Sequence, residues 1–448
     1  MTINNNSHKS DDANFYDMVG VGFGPSNIAL AIAHQELGSE YTLKFLEAEK
    51  FPDWQSGVKI PGSDIQHNPL RDFVTPRNPR SQYGYLSYLQ EMGRLMHYLN
   101  LDSPFPPRSD YAKYVQWVAK KFNNQVSYNS KVKDISIVGD NSGNNLFFEI
   151  KTNIKSYKSK AITFAPGRSL NIPPVFKSIL GKSVFHFTKY NMLLQKYVSS
   201  KPNRIAVIGG SQSAVEIILD LHKKFPNAEI ISIHRKFNLV LKDTSPFTED
   251  LLLPENVDYF YNSSEKSKKD LISQVIRSNY GSVDEDILKE LYYVLYENRV
   301  NDNNTISLYN NKEVIKALDQ GHKVQLEIRD VHRNSIEKLS VDAVVLGTGF
   351  RNFGTGENEE LLHPLLNNIK NYYQRKKNGT FRITRDYQLV PISNELSFPK
   401  IYLNGLCEST HGLADAGSFS HLSLRAMQIE SSIVKNFLIG SQITVEQS

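Results

Sequence analysis

Residues 16–36, YDMVGVGFGPSNIALAIAHQE, run an apolar stretch into a glycine-dense turn and then a helical pattern, the order required of a strand-turn-helix unit that cradles a dinucleotide. Gly22 permits the tight bend, and Gly24 lets the backbone approach a pyrophosphate at the N-terminus of the helix that Pro25 and Ser26 open. Asn27 stands where a third glycine is usual. The next apolar run, YTLKFLE, ends in Glu47, at the spacing of the acid that holds an adenosine ribose. The pattern predicts a bound nucleotide cofactor.

A second unit occupies 204–221, RIAVIGGSQSAVEIILDL, where four apolar residues lead into Gly209 and Gly210 and then an amphipathic helix. Ser211 takes the place of a close-approach glycine, which loosens or repositions the pyrophosphate contact, and Gln212 and Ser213 follow it. The strand after it, AEIISIHRK, ends in Arg235 and Lys236 rather than an acid. Basic residues at this edge suit the 2′-phosphate of NADPH, so NADPH is expected over NADH.

The chain's 448 residues, 40% hydrophobic and 22% charged, suffice for two or three domains with large cores. A formal charge of +5 with no basic-aromatic run gives no sign of a nucleic-acid partner. The single Cys407 excludes internal disulfides, CxxC redox pairs and cysteine zinc clusters, and with them disulfide reductase chemistry. Residues 1–14 are polar and read as a disordered leader without a signal h-region. No stretch approaches the roughly 18 uninterrupted apolar residues of a membrane helix, so no membrane partner and a cytoplasmic location are expected.

Two further strands run into glycine turns, AITFAPGRSLNIP at 161–173 and VDAVVLGTGF at 341–350, the latter holding Gly349. They are similar to the crossover segments of flavoproteins that hold two dinucleotides. The chain therefore reads as an α/β protein of two Rossmann-like dinucleotide-binding domains: an FAD domain at 15–185 and 340–448, and an NADPH domain at 186–339. Within the latter, about 262–300 has helical periodicity at Ile272, Val275 and Ile276 and again at Ile287, Leu288, Leu291 and Tyr292, which predicts a small helical substrate subdomain. Residues 278–282, SNYGS, break it with a loop.

The motifs GFGPSN, IQHNPLRDFVTPRNPRSQYGYLSYL, GGSQSAVE, DTSPF, SNYGSV, GTGF and THGLAD occur together and in this order. In that conjunction the chain resembles the flavin-dependent N-hydroxylating monooxygenases, the lysine and ornithine N-hydroxylases of siderophore biosynthesis, from residue 16 to about 430. The resemblance implies FAD and NADPH as cofactors, and molecular oxygen and a primary amine as substrates. It further implies a reaction in which NADPH reduces FAD, the reduced flavin traps oxygen as a C4a-hydroperoxide, and a neutral amine attacks its distal oxygen. No protein nucleophile, triad or metal is called for, and the family's members suggest a homo-oligomer, tetramer or dimer.

Carried over by position, the resemblance runs Glu47 to Gln55 along the FAD adenosine and flavin edge, with Trp54 packed on the cofactor and Gln66 beside the isoalloxazine. Gly209 to Ser213 match the NADPH pyrophosphate turn and Arg235 the 2′-phosphate contact. Asn279 matches an asparagine that touches both the nicotinamide ribose and the amine, with Tyr280 and Gly281 beside it. Gln66 and Asn279 are the catalytic candidates, and Val132, Gly349, His411, Gly412 and Leu413 are further candidates for cofactor contact. His67 and His411 read as hydrogen-bonding wall residues, and His421 as a helix-face residue.

The pattern breaks mainly at one end of the substrate. Arg71 replaces a lysine that pairs with the substrate carboxylate, and Glu249 replaces an asparagine that reads the α-amino and carboxylate end. THGLADAGSFSHLSLRAMQI carries an extra residue after Asp415, which makes Ser418 and Ser420 both candidates for the substrate-facing serine. Gln55 stands where a histidine is frequent. Either Glu249 binds a second ammonium, making a diamine such as putrescine or cadaverine the substrate, or it pairs with Arg71 and reshapes an amino-acid pocket. Other readings are hydroxylation of the α-amine of an acidic amino acid, carbon or sulfur oxidation, and a non-catalytic nucleotide-binding homologue.

Overall fold

The computed structural model describes residues 14–446 apart from 102, 104, 141–145, 199, 200, 394, 396 and 414, so all of the expected leader but Asn14 lies outside the described residues. The first sheet is built around β1 (Phe15–Val21), which pairs in parallel with β2 (Leu43–Leu46) on one side and Ser156–Phe164 on the other. Met18 and Val19 are fully buried, as a central strand covered on both faces requires. Ser156–Phe164 is shared: its first half pairs antiparallel with Leu146–Thr152, and its second half in parallel with Lys400–Leu403. A strand from far down the chain thus completes the sheet. Helix α1 (Pro25–Glu36) leaves the glycine turn with Pro25 in its first turn, where the missing N–H is not needed.

The second sheet has five parallel strands in the order Ile306–Asn310, Glu229–His234, Arg204–Ile208, Ala343–Leu346 and Val184–His186. Ile205 and Val207 point into one core and Ala206 into another, so the central strand is apolar on both faces. An antiparallel meander of Lys312–Asp319, Val324–Asp330 and Ile336–Val341 covers the second face. Ala343–Leu346 is wholly buried between Arg204–Ile208 and Val184–His186. The return to the first unit therefore falls after Leu346 rather than at 340, and the second unit takes in a strand that begins before 186. The two crossing segments lie side by side, with Asn171 N–H on Gly349 O (3.0 Å) and Arg351 N–H on Ser169 O (2.8 Å).

The helical segment comprises Pro254–Asn262, Glu265–Val275 and Glu285–Val300, with the SNYGS loop between the last two. Leu291 is buried, but Tyr292 is 69% exposed, contrary to the inward face its spacing predicts. One residue turns a helix by about 100°, and Glu285–Val300 buries only a narrow stripe. The chain is an α/β protein of two Rossmann-like units with a small helical subdomain. Among the described residues, no helix is long and apolar enough to cross a membrane.

Candidate active site

The turn after β1 is braced from behind and open in front. Gly22 has φ +82°, and a Cβ there would lie 2.4 Å from the Ala165 carbonyl oxygen. Asn27, placed by its sequence position on a cofactor, is instead fully buried. Its amide donates to Gly22 O (2.7 Å), and its side-chain oxygen accepts from Thr163 Oγ1 (2.9 Å). The side chain faces the sheet because only there do the turn's carbonyls find a donor. Ser26 likewise engages buried Arg425, whose Nη2 donates to its Oγ (3.1 Å) while Nη1 pairs with Asp415 (2.9 Å). In front, a Cβ on Gly24 would meet nothing within 4 Å, and the first amides of α1 have no partners within the helix. Glu47 follows β2 beside this opening, accepting from the amides of Phe23 (2.7 Å) and Glu49 (2.9 Å).

At the second turn Gly209 has φ +137°, with a Cβ position 2.3 Å from Gly347 O, and Gly210 lies against the His234 ring. Ser211 precedes the helix Gln212–Lys224, and Ser213 sits in its first turn. The Gln212 side chain turns aside: it donates to Glu216 (3.0 Å) and accepts from the Asp284 amide (2.8 Å). Glu216 in turn holds Arg108 of the first unit in a fork of two 2.9 Å bonds, both side chains buried. Arg235 is exposed at the strand edge, 3.8 Å from Glu357. Lys236 Nζ donates to Gly281 O (2.6 Å), tying that edge to the SNYGS loop.

Between the units lies a cavity of about 120 Å³ where segments remote in sequence meet. Gln66, His67 and Arg71 come from one, Lys242 and Glu249 from a second, Asn279 from a third, and Leu413, Ser418 and Ser420 from a fourth. Arg71 Nη1 donates to Glu249 Oε2 at 2.5 Å, the pairing foreseen in one of the two sequence readings. Gln66, at φ +60°, donates its side-chain amide to Asp284, whose carboxylate is 3.4 Å from Lys242. Burial, helped by the charges of Asp284 and Asp286, lifts the Asp64 carboxyl to about 6. The Asn279 side chain has no hydrogen-bond partner among the described residues, whereas the Tyr280 hydroxyl accepts from Arg168 (2.8 Å) and donates to Glu408 (2.7 Å).

An aromatic nest adjoins the cavity. Trp54 meets Tyr111 and Phe419 edge-on, and the His67 ring stacks on Phe419 at 5.3 Å. His67 Nδ1 lies 2.8 Å from Ile65 O, and burial lowers the imidazole to about 4, so it is neutral at ordinary pH. His67 Nε2 and the Tyr111 hydroxyl are buried without protein partners. Gln55 is exposed at φ +52°, and Gly349 has φ +71° with open space before it.

Three candidates sit differently from expectation. His411 stacks on Tyr387 at 4.1 Å and has both nitrogens engaged, by Thr410 Oγ1 (2.9 Å) and Arg385 O (3.1 Å), so it supports the Gly412 turn from inside. Val132 packs its side chain into the first core. His421 is more than a helix-face residue, since its Nε2 lies 2.5 Å from the carbonyl of cavity-lining Leu252. Sequence reasoning missed Lys242, Asp284, Arg168 and Glu408. Each lies in or beside a quoted motif, Arg168 within AITFAPGRSLNIP, Lys242 just ahead of DTSPF, Asp284 just after SNYGSV and Glu408 two residues ahead of THGLAD, but no pattern marks it as a site residue rather than a surface one.

The family model for L-lysine 6-monooxygenase/L-ornithine 5-monooxygenase matches residues 14–352. An L-ornithine N(5)-monooxygenase of Pseudomonas aeruginosa is 31% identical over 436 residues, covering 95% of each chain. Among solved structures, the reduced ornithine hydroxylase of Pseudomonas aeruginosa superposes with a TM-score of 0.86 at 29% identity, over 94% of this chain and 100% of that one. A Kutzneria ornithine N-hydroxylase described with reduced FAD, NADP+ and L-orn gives 0.86 at 28%, over 94% and 99%. The chain belongs to the lysine/ornithine monooxygenase family and is an NADPH-dependent flavin N-hydroxylating monooxygenase.

FAD and NADPH are the cofactors of this class, and the residues present fit both. At the first turn the free approach over Gly24, the helix amides and Glu47 suit a dinucleotide, and the unpaired His67 Nε2 and Tyr111 hydroxyl suit the polar edge of a ring system. At the second, Gly209 and Gly210 let the turn pack on Gly347 and His234, and the helix that Ser211 opens presents its first amides beside a cationic edge at Arg235.

Proposed function

We propose that this chain N-hydroxylates the terminal amine of an α-amino acid of the ornithine or lysine kind. The reading is carried by the Arg71–Glu249 pair in the same cavity as Asn279. A zwitterionic amino-acid head can replace both partners at once, its carboxylate on the Arg71 guanidinium and its α-ammonium on Glu249, so no charge is left unmatched. A diamine's distal ammonium would compete with Arg71 for one carboxylate. The ornithine-acting relatives support the same substrate class.

Bound FAD, reduced by NADPH, supplies the activation of oxygen. The chain's own residues set the amine. The Asn279 amide oxygen accepts one amine N–H and turns the lone pair away from itself. Ser418 and Ser420, hydrogen-bonded to each other at 3.1 Å, stand at the cavity wall for the substrate's polar groups.

The test is a hydroxylamine assay on ornithine, lysine, putrescine, cadaverine and aspartate. Faster turnover of the diamines would reverse the substrate, and sulfide oxidation with no hydroxylamine from any amine would reverse the reaction. In Glu249→Gln the amino-acid KM is expected to rise roughly tenfold or more, the worth of a charged hydrogen bond, with kcat little changed. In Arg235→Ala the KM for NADPH is expected to rise about tenfold and that for NADH to stay put. An equal effect on both nucleotides would remove the 2′-phosphate assignment. A homo-oligomer of two or four copies is proposed on the family resemblance alone, and light scattering checks it.

A further inference from the structure

Behind the Asn279 wall lies a buried polar cluster that the proposed chemistry does not use. Glu408, 4% exposed, accepts from the Tyr280 hydroxyl on Oε2 (2.7 Å) and from Asn352 Nδ2 on Oε1 (2.7 Å). Arg168 Nη1 donates to both of those partners, to Tyr280 Oη at 2.8 Å and Asn352 Oδ1 at 3.1 Å, and thus reaches the carboxyl through them. Four segments meet here: the first crossing segment, the SNYGS loop, the strand after the second crossing segment, and the helix Glu408–His411. Two of them continue straight into the cavity wall. Asn279 adjoins Tyr280, and a Cβ on cavity-lining Gly417 would lie 2.4 Å from Arg168 Nη2.

The Asn279 side chain has no protein partner of its own, so its position is set by the residues on either side. Tyr280 is held by Glu408 and Arg168, and Gly281 by Lys236. We propose that Glu408 is a positioning residue which, acting through the Tyr280 hydroxyl, fixes the SNYGS loop and with it the Asn279 amide at the cavity. The inference rests on the reading of Asn279 as the residue that meets the amine.

The charged and titratable groups around Glu408 are few. Arg168, Tyr280 and Asp415 face it, and Asp415 is itself paired with Arg425. On the packed helix Pro254–Asn262, Tyr261 lies against His411, and Asp258 pairs with Arg385. Burial pushes the carboxyl up to about 8, so the neutral acid holds the cluster at neutral pH. When it ionises, the charge is buried without a direct cation, since Arg168 reaches it only through Tyr280 and Asn352, and loosening of the loop to admit water relieves that cost.

The experiment uses the full-length FAD-loaded enzyme with NADPH, oxygen and L-ornithine, then L-lysine and putrescine as alternative probes, and counts hydroxylamine formed per NADPH consumed from pH 6.5 to 9.5. In wild type this ratio is expected to fall above about pH 8. Glu408→Gln, which keeps the shape and cannot ionise, is expected to match wild type at pH 7 and stay flat. Tyr280→Phe is expected to form roughly tenfold less hydroxylamine per NADPH at every pH, because it strands buried partners. A second readout needs no substrate. The folded state holds the Glu408 proton longer than the unfolded chain, so wild-type melting temperature should drop relative to Glu408→Gln as pH rises from about 5 to 8. Wild-type coupling in Tyr280→Phe, or a Glu408→Gln variant that keeps the wild-type pH dependence in both readouts, overturns the proposal. No hydroxylamine from wild type with any amine would instead overturn the functional reading, and the melting comparison would still judge the titration of Glu408.

Discussion

Gly22→Ala is expected to emerge from purification colourless, with no flavin absorbance and a lowered melting temperature. An alanine at φ +82° carries a conformational cost of about 1–2 kcal/mol, and its methyl group would press on the Ala165 carbonyl at 2.4 Å. That carbonyl ends the adjoining strand, and Ala165 N–H is bonded to Val21 O (3.0 Å), so relief requires the sheet itself to open. Gly24→Ala is the discriminating partner. Its backbone is extended, at φ −81° and ψ −173°, and nothing in the protein meets the added methyl group. It should fold and melt like wild type yet bind added FAD more weakly, because the methyl group enters only the open space through which we propose that the cofactor approaches. Retention of FAD by Gly22→Ala would show that the turn relaxes and that the cradle is less tightly specified than its geometry implies.

The same contrast explains what the sequence makes legible. Gly22 and Gly209 could be read as turn residues because a tight turn imposes a backbone requirement that few residue types meet, and the place of Glu47 just after a strand followed from the apolar run before it. Arg71 and Glu249 stood out because their charges break a pattern, and their pairing was one of two open readings. The direction of Asn27 was not legible, since it depends on Thr163 and Asn404, 136 and 377 positions away. Ala343–Leu346 is an apolar run that fits either sheet, and only its register against Ile205–Ile208 decides. The partners of Lys242, Asp284, Arg168 and Glu408 were not legible, because each acquires them only when separate segments fold together.

Arg108→Met is expected to destabilise the protein by about 3–5 kcal/mol, measured by denaturant unfolding, because it leaves the Glu216 carboxylate buried without its cation. Arg108 also donates to the carbonyls of Val58 (3.2 Å) and Asp64 (3.1 Å), so one guanidinium ties the loop of the first unit that holds them to the helix Gln212–Lys224. From Glu216 the chain of contacts runs on through Gln212 to Asp284 and so to Gln66. Replacing both partners with apolar residues, as in Arg108→Met with Glu216→Leu, should recover only part of the stability: the buried charge is gone, but the Val58 and Asp64 carbonyls and the Gln212 amide lose their partners. It should not recover the directional fork. Anaerobic reduction of bound FAD by NADPH is therefore expected to stay slower in the double variant than in wild type, although it melts at a higher temperature than Arg108→Met. If the restored protein instead reduces its flavin at the wild-type rate, the fork contributes stability alone, and the mutual placement of the two cradles must come from the apolar contacts around it.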